Sequence, residues 1–305
     1  MMKTSVSTFA AFSMLGIDEG LRAIAEAGFD AIDLGLDSVF VQKDTIDEAY
    51  EAYLLDEKRI RETVDAVKAG LKKYGLTVGQ AHAPNAYVPR KPRETEVMRK
   101  CVERCFAICE ELDCRHLVIH PVCDGSARYP SLTKEDEYRE NTAYFSSIIP
   151  QLKKHDVICC LENAYCVDWG TKKAYACACS DVAEANRYID ALNALAGERR
   201  FAFCLDTGHL LLLGTDPYNA LRTLGDRMEI LHVHDNDGYL DDHTAAFLGV
   251  CNWSRFVKGL REIGYTGNIN METSNFVQLF PKELVPAALK LLASEADYFR
   301  SKVQL

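Results

Sequence analysis

The chain lacks several features that whole classes of protein require. Its 305 residues carry a net charge of −10 and no conspicuous run of Lys and Arg, so the electrostatic footprint of a nucleic-acid-binding protein is missing. No apolar run approaches the roughly 18 residues that a membrane span needs. There is no clear signal-peptide cleavage site, phosphate-cradling glycine loop, linker or low-complexity segment. We therefore expect a soluble, cytoplasmic, single domain over residues 1–305 without a membrane partner, and the charge disfavours a nucleic acid as partner without excluding one.

The twelve cysteines form no CxxC pair, which argues against a zinc ribbon. Several fall on the apolar faces of predicted strands and helices, where a free cysteine packs as a small hydrophobic residue. Cys177 and Cys179 lie in a stretch that resembles a loop, and packing is the favoured interpretation there as well. This use of cysteine fits a reducing compartment.

Strand-like and helix-like segments alternate from end to end. Strands are predicted at 3–9, 29–36, 77–83, 115–120, 157–162, 201–206, 228–234 and 267–272. Helices are predicted at 18–27, 55–75, 95–112, 133–155, 182–198, 217–226, 253–263 and 282–302. Strict alternation implies parallel strands joined by helical crossovers, and eight repeats favour a closed barrel. The fold class predicted is α/β, a single (β/α)8 TIM barrel.

Acids and imidazoles stand at the ends of these strands. Glu162, Asp206, His234 and Glu272 end the last four strands, which are neighbours in a barrel. A parallel barrel builds its active site at the carboxyl ends of its strands. Three carboxylates and one imidazole suit a single divalent ion, Mn, Mg, Co or Zn. The alternative for each acid by itself is a helix cap or a surface charge, but four in this position favour a metal-dependent enzyme.

Other polar residues lie near the same predicted rim. His209 is three residues after Asp206 and is either a metal ligand, a donor to substrate or a capping residue. Asp241 and His243 form a further candidate metal pair, with a solvated loop as the alternative. His82 and His120 end strands 3 and 4 as ligands, substrate donors or simple rim residues. His232, two residues before His234, is expected to be a hydrogen-bonded core residue.

The pattern resembles the xylose isomerase-like TIM barrels, a group that includes sugar phosphate isomerases, ketose 3-epimerases, inosose dehydratases and endonuclease IV. The resemblance spans nearly the whole chain. It is carried by LEN at 161–163, CLDTGH at 204–209, HVHDND at 232–237, DDH at 241–243, FLGVCNW at 247–253 and GYTGNINME at 264–272.

The resemblance implies a function and roles for individual residues. Glu162, Asp206, His234 and Glu272 would hold the metal, and Glu162 and Glu272 would also form the acid–base pair of an isomerase or epimerase. His209 would help to bind the substrate. The substrate would be a keto-sugar, a sugar phosphate or a polyol, converted through an enediolate, and the protein would be a homo-oligomer. The substrate contacts predicted are His82, His120, Asp168 and Trp169.

Three alternatives remain open from the sequence. Leu240 stands where ketose 3-epimerases usually have Arg, which speaks against that activity, and the same ligands would serve a dehydratase or lyase acting on a keto-inositol or a glycoside. A sugar sensor without turnover is a second alternative. The third is an abasic-site endonuclease with three zinc ions. Its ligand pattern matches nine residues: His82, His120, Glu162, Asp206, His209, His234, Asp241, His243 and Glu272.

Overall fold

The computed structural model describes residues 2–43, 45–88, 91–123, 133–168 and 170–305. The strands in these ranges are β1 (Thr4–Ser7), β2 (Ala31–Gly35), β3 (Thr77–His82), β4 (His116–Ile119), β5 (Ile158–Glu162), β6 (Tyr165–Asp168), β7 (Lys173–Ala176), β8 (Phe201–Asp206), β9 (Met228–His232) and β10 (Ile269–Met271). Eight of them form one sheet in the order β10-β1-β2-β3-β4-β5-β8-β9, and β6 pairs with β7.

A long helix follows most strands of the large sheet. The helices are α1 (Phe9–Leu15), α2 (Ile17–Ala27), α3 (Glu48–Leu54), α4 (Glu57–Tyr74), α5 (Pro92–Glu111), α6 (Lys134–Lys154), α7 (Val182–Ala196), α8 (Thr207–Leu212), α9 (Pro217–Leu224), α10 (Trp253–Glu262), α11 (Ser274–Gln278) and α12 (Val285–Val303). A tight turn cannot join two neighbouring parallel strands, because the chain must first return to the end of the sheet at which the previous strand began. A helical crossover makes this return.

Val233 joins the two strands that stand at the ends of the sheet order. Its N–H donates to the carbonyl oxygen of Asn270 at 2.8 Å, and its carbonyl oxygen accepts from the N–H of Glu272 at 3.0 Å. Val233 thereby forms a parallel bridge with Met271, directly beyond β9. The sheet is closed by this bridge, and the predicted (β/α)8 TIM barrel is confirmed.

The chain divides into two compact units. The first unit comprises Met1–Leu34, Val64–Gln80 and Cys204–Leu305. Within it, β1 is paired in parallel on both sides, because Val6 is in register with Ile32 on β2 and with Met271 on β10. Helix α12 packs against α2 and β1. β1 is largely buried although three of its four residues are polar, and the hydroxyl of Ser5 donates a hydrogen bond to the side-chain oxygen of Asn270 on β10 at 2.8 Å.

The second unit comprises Gly35–Thr63 and Ala81–Phe203. Strands β4 and β5 pair in parallel, with Leu117 opposite Cys159, and every residue of β5 is buried. Thr133 caps the N-terminus of α6, where its hydroxyl accepts a hydrogen bond from the N–H of Asp136, and α6 packs against α7. Strands β6 and β7 are antiparallel, with Cys166 opposite Tyr175.

The structure differs from the sequence prediction mainly inside the connections. Residues 163–181, predicted as a loop, contain the β6–β7 hairpin. The short helices α1, α3, α8 and α11 were also missed, because one or two turns are too short for a hydrophobic period to appear. The prediction of a single domain over 1–305 stays a prediction. Among the described residues, no helix is both long and apolar enough to cross a membrane.

Candidate active site

Asp206 lies at the junction of β8 and α8 in the first unit. It is fully buried, and its Oδ1 accepts a hydrogen bond from the backbone N–H of His209 at 2.7 Å, as an N-cap does. Nε2 of His234 lies 3.0 Å from Oδ1 and 2.9 Å from Oδ2 of the same carboxylate. A buried carboxylate is costly unless it has such partners. Asp206 and His234, both predicted as metal ligands, therefore lie side by side.

The two residues after Asp206 fix the position of His234. The hydroxyl of Thr207 donates to the carbonyl oxygen of His234 at 2.6 Å and accepts from its N–H at 3.0 Å. A Cβ at Gly208 would collide with the imidazole of His234, since it would lie 2.7 Å from Nε2. The sequence Asp-Thr-Gly thus provides a candidate ligand, a backbone anchor for His234 and the space for its imidazole.

A second cluster of donors adjoins this pair. Oδ2 of Asp241 lies 3.4 Å from Nε2 of His209 and 3.0 Å from Nε2 of His243. The rings of His243 and His234 stack with their centroids 4.0 Å apart. One ligand atom from each of His209, His234, Asp241 and His243 lies within 4.8 Å of the other three. The residues predicted as an additional metal site are therefore brought together.

The charges of this cluster are mutually stabilised. Burial by itself would raise the pKa of Asp241, but hydrogen bonds from His209 and His243 outweigh it and hold that pKa well below its usual range. Burial would likewise lower the pKa of His243, but the hydrogen bond to Asp241 and the charges of Glu272, Asp241 and Asp206 raise it to about 10. Before any metal binds, the structure thus favours an ion pair of Asp241 with the His243 imidazolium.

Glu272 belongs to a buried network built around His232. Nδ1 of His232 lies 3.3 Å from Oε2 of Glu272 and 4.0 Å from Oδ2 of Asp206. Nε2 of the same ring lies 3.2 Å from Oδ2 of Asp33. That oxygen of Asp33 also accepts hydrogen bonds from the side-chain amides of Gln80 at 3.1 Å and Asn270 at 2.9 Å. His232 is fully buried, and both of its ring nitrogens face carboxylate oxygens.

The second unit carries its own group of donors. Nε2 of His120 lies 2.8 Å from Oε2 of Glu162, and Nε2 of His82 lies 3.6 Å from the same oxygen. The two Nε2 atoms are 3.1 Å apart. Nδ1 of His120 faces the side-chain oxygen of Asn85 at 2.8 Å, and Nδ1 of His82 faces the carbonyl oxygen of Ala83 at 2.9 Å. Both rings are thereby oriented with Nε2 towards Glu162.

Two other predicted substrate contacts fall on the β6–β7 hairpin. Oδ1 of Asp168 accepts hydrogen bonds from the N–H groups of Gly170 at 2.8 Å and Thr171 at 3.3 Å, so this acid holds the turn of the hairpin. Trp169 lies outside the described residues. The role of both residues towards a substrate stays a prediction.

Sequence reasoning missed the polar residues that position the candidate ligands. Asp33, Thr207, Asn85 and Asn270 were not singled out, although each orients a histidine or another member of the buried network. A usable signal existed for Asp33, because an acid inside the apolar segment FDAIDLGL of β2 requires a buried partner. Thr207, Asn85 and Asn270 gave no such signal.

The donor sets fit divalent metal ions. In the first unit, both oxygens of the fully buried carboxylate of Asp206 face Nε2 of His234, and a second carboxylate, Glu272, faces Nδ1 of His232. Carboxylates and imidazoles are the ligands that Mn²⁺, Co²⁺ and Zn²⁺ take in proteins. Three of the four predicted ligands, Asp206, His234 and Glu272, belong to this unit, and Glu162 belongs to the second.

The profile of the family described as the xylose isomerase-like TIM barrel matches residues 21–298. The chain belongs to this family. The match includes every candidate site residue in both units.

Individual relatives of this xylose isomerase-like chain are distant. A D-tagatose 3-epimerase-like protein has a TM-score of 0.63 and 20% identity, over 96% of this chain and 99% of that one. The IOLI protein, solved with a bound zinc atom, has a TM-score of 0.70 and 16% identity, over 97% and 98%. At these identities, the likeness is one of fold.

A curated relative is the uncharacterized protein y4fM of Sinorhizobium fredii (strain NBRC 101917 / NGR234). It is 36% identical over 70 residues, 23% of this chain and 22% of that protein. The chain therefore matches only about a fifth of the length of that relative.

Proposed function

We propose that the chain is a divalent-metal-dependent enzyme of the sugar isomerase and epimerase type. Its substrate would be a keto-sugar, a sugar phosphate or a related polyol. Family membership supports the enzyme class, and two solved structures with the same fold agree with it: a D-tagatose 3-epimerase-like protein, and the IOLI protein with its bound zinc atom.

The single observation that carries the proposal is the shared environment of Asp206 and Glu272. Both carboxylates present an oxygen to Nδ1 of the fully buried His232, at 4.0 and 3.3 Å, and His234 meets both oxygens of Asp206. Such a concentration of buried negative charge is stabilised when a cation is bound. A purely structural cluster would not need a carboxylate whose side chain remains 15% exposed, as that of Glu272 does.

The bound ion would supply Lewis-acid polarisation of a substrate carbonyl, which acidifies the neighbouring C–H group. Glu272 and Glu162 are proposed as the acid–base pair, one removing this proton and the other returning it to the opposite face of an enediolate. His209, whose backbone N–H is fixed on Asp206, would donate a hydrogen bond to the enediolate oxygen. His232 keeps Glu272 in place through the contact at 3.3 Å.

Substrate binding is proposed for His82 and His120, with Asp168 and Trp169 as further contacts. The Nε2 atoms of both histidines are turned towards Glu162, so a hydroxyl group placed near Glu162 would meet two imidazoles as well. Nδ1 of each ring faces an oxygen acceptor, so a ligand placed beside Glu162 would meet the Nε2 side of both rings.

The decisive experiment couples metal analysis of the purified protein to a solvent-deuterium screen. Keto-sugars, their phosphates and keto-inositols would be incubated with the enzyme in D2O and examined by NMR. We expect bound divalent metal, and deuterium incorporation next to the carbonyl of one substrate with conservation of mass apart from the label. Loss of water with new ultraviolet absorbance would identify a dehydratase instead. Ligand stabilisation without exchange would identify a sensor.

A second candidate function rests on the cluster of His209, Asp241 and His243. These residues, together with the group around Glu162, give the chain more donors than one ion requires. The resemblance to endonuclease IV assigns such donors to further zinc ions. This candidate requires about three zinc ions per chain and cleavage of a DNA duplex that carries an abasic site. It further requires that Asp241→Asn remove one of those ions. A protein with one ion and no cleavage excludes it.

The proposal places the enzyme in the cytoplasm. All twelve cysteines of the structure are thiols, none paired in a disulfide, which agrees with a reducing compartment. Thiol titration of the protein purified without reductant would test this, and twelve reactive thiols after denaturation are expected. A homo-oligomer stays a prediction, to be tested by light scattering of the eluted protein.

A further inference from the structure

Three cysteine thiols meet in the second unit, outside the candidate active site. Cys123, Cys166 and Cys177 place their Sγ atoms within 4.8 Å of one another. The thiol of Cys123 donates to Sγ of Cys177 at 3.0 Å. These three residues, called here the thiol cluster, are distant in sequence. They do not form a CxxC pair, so their spacing does not predict a metal site.

The hairpin register explains two of the three positions. Cys166 on β6 is opposite Tyr175 on β7. Cys177 follows Tyr175 by two residues, so its side chain is on the same face of the hairpin as those of Tyr175 and Cys166. Cys123 reaches this face from the connection that follows β4. Three segments of chain thus contribute one sulfur each.

The thiol cluster is largely buried, and hydrogen bonds hold the backbone around it. Cys166 and Cys177 are 6% and 4% exposed. The N–H of Cys177 donates to Oγ of Ser180 at 2.8 Å, and Nζ of Lys134 donates to the carbonyl oxygen of Cys177 at 3.2 Å. The N–H of Ala178 donates to Glu137 at 3.0 Å. The backbone that carries Cys177 is therefore anchored on both sides of the sulfur.

We propose that the thiol cluster binds one thiophilic metal ion, with zinc as the reference ion. Sulfur ligands are those that select Zn²⁺ and Cu⁺ over harder cations. Binding of Zn²⁺ would form three Zn–S bonds and release the three thiol protons to solvent, with water completing a tetrahedral shell. No oxidant is involved, and the sulfur atoms keep their oxidation state.

A metal ion accounts for the cluster better than a disulfide does. A disulfide would join two of the three sulfur atoms and would not explain why the third lies beside them. Formation of a disulfide also requires a thiolate, whereas hydrogen bonds among the three thiols and burial raise the pKa of Cys123. The pKa of Cys177 is also raised, since the hydrogen bond from Cys166 and burial outweigh the lowering effect of Cys123. Such protonated thiols oxidise slowly, but a metal ion displaces their protons directly.

The position of the cluster gives this ion a structural consequence. Cys123 follows His120 by three residues, and Cys166 follows Glu162 by four. An ion held by the cluster would tie the connection after β4 to the hairpin after β5. These are the two connections that carry His120 and Glu162. It would act as a clamp that positions these residues and would not touch a substrate.

Cobalt provides a direct test in the full-length protein. Co²⁺ would be added to the metal-free, reduced protein, and the near-ultraviolet sulfur-to-cobalt charge-transfer absorption would be recorded. We expect this absorption to correspond to one equivalent of cobalt per chain, in addition to any cobalt bound at other sites. The ligands proposed for the active-site ion are carboxylates and an imidazole, so failure of the proposed function would leave this sulfur-to-cobalt signal unaffected. Cys166→Ser and Cys177→Ser should each abolish it.

Cys179→Ser is the matched control, since Cys179 is a fully buried cysteine two residues beyond Cys177 that does not belong to the cluster. It should retain the absorption. X-ray absorption at the zinc edge of the wild-type protein, which needs no variant to fold, should show sulfur neighbours. Absence of sulfur ligation in both measurements, or its persistence in Cys177→Ser, overturns the proposal. A Cys123–Cys177 disulfide found by mass spectrometry in place of bound metal also overturns it.

Discussion

Gly208 faces the imidazole of His234 so closely that a single added methyl group would collide with the ring. We predict that Gly208→Ala displaces His234 from Asp206 and weakens binding of the divalent ion roughly 10–100-fold, the range seen when a metal ligand loses its orientation. Calorimetric titration of the metal-free protein with Mn²⁺ measures this.

Gly214→Ala is the control for this substitution. Gly214 has a φ of +67°, so alanine is strained there, but its Cβ would meet no atom within 4 Å among the described residues. We expect a loss of stability with unchanged metal affinity. Equal metal affinity in Gly208→Ala and the wild type would contradict the assignment of His234 as a ligand.

Glu272→Gln keeps the size of the side chain and removes its ability to accept a proton. We predict that solvent-deuterium exchange falls by roughly 10²–10⁴-fold, the usual contribution of a general base. The rate is measured with the substrate found in the screen, at metal concentrations that saturate the variant. Glu262→Gln, on a side chain 37% exposed, should exchange at the wild-type rate. Full exchange activity in Glu272→Gln would refute the acid–base role.

Asp33→Asn should destabilise the first unit. Oδ2 of Asp33 faces Gln80, Asn270 and His232, so the substitution replaces charged hydrogen bonds by neutral ones in a buried site. We expect the free energy of unfolding to fall by roughly 2 kcal/mol, as measured by urea denaturation. Asp226→Asn, at a side chain 88% exposed, should change it little. An unchanged midpoint for Asp33→Asn would show that the network contributes no net stability.

Glu295 makes stability depend on pH. Burial, opposed by the N–H of Ala246 and assisted by the charge of Asp235, raises the pKa of this carboxyl to about 7 from 4.5. Between these values the folded protein keeps the proton that the unfolded chain releases, so stability falls as pH rises through the window and is level above it. Below pH 4.5, both states are protonated and the penalty vanishes.

We therefore predict that Glu295→Gln raises Tm relative to the wild type by about 2 °C at pH 8 and by less at pH 5, because the amide cannot ionise. Thermal unfolding followed by circular dichroism at both pH values measures the difference. Glu283→Gln, at an exposed position before α12, should show no such dependence. If the difference in Tm between Glu295→Gln and the wild type were the same at pH 5 and pH 8, ionisation of Glu295 would not be its cause.

The sequence was sufficient to predict the barrel because its strands are buried on both faces. Apolar runs such as that of β5 and β8 end on Glu162 and Asp206, and this pattern reports both the fold and the polar edge of the sheet. Pairing of Asp206 with His234 follows from strand adjacency in the same way. Register and side-chain orientation are not encoded in hydrophobic period, so Thr207 and Asp33 were found only in the structure.

The β6–β7 hairpin shows where sequence reasoning ends. Its strands have four residues each, are partly exposed and, within the described residues, form a sheet of two strands. Neither length nor hydrophobicity therefore distinguishes them from a loop. The thiol cluster depends on this register and on a connection from another part of the chain. Cysteine spacing was therefore uninformative, and the interpretation of Cys177 as a packing residue missed its two neighbours.

The carboxylate of Asp206 has two tasks, since Oδ1 both caps α8 and meets His234. A single methylene group sets the distance of this carboxylate from the backbone. The longer side chain of glutamate would lose either the hydrogen bond that caps α8 or the contact with His234. Replacing aspartate at position 206 would therefore disturb the start of α8 and the contact with His234 together, so neither can change without the other.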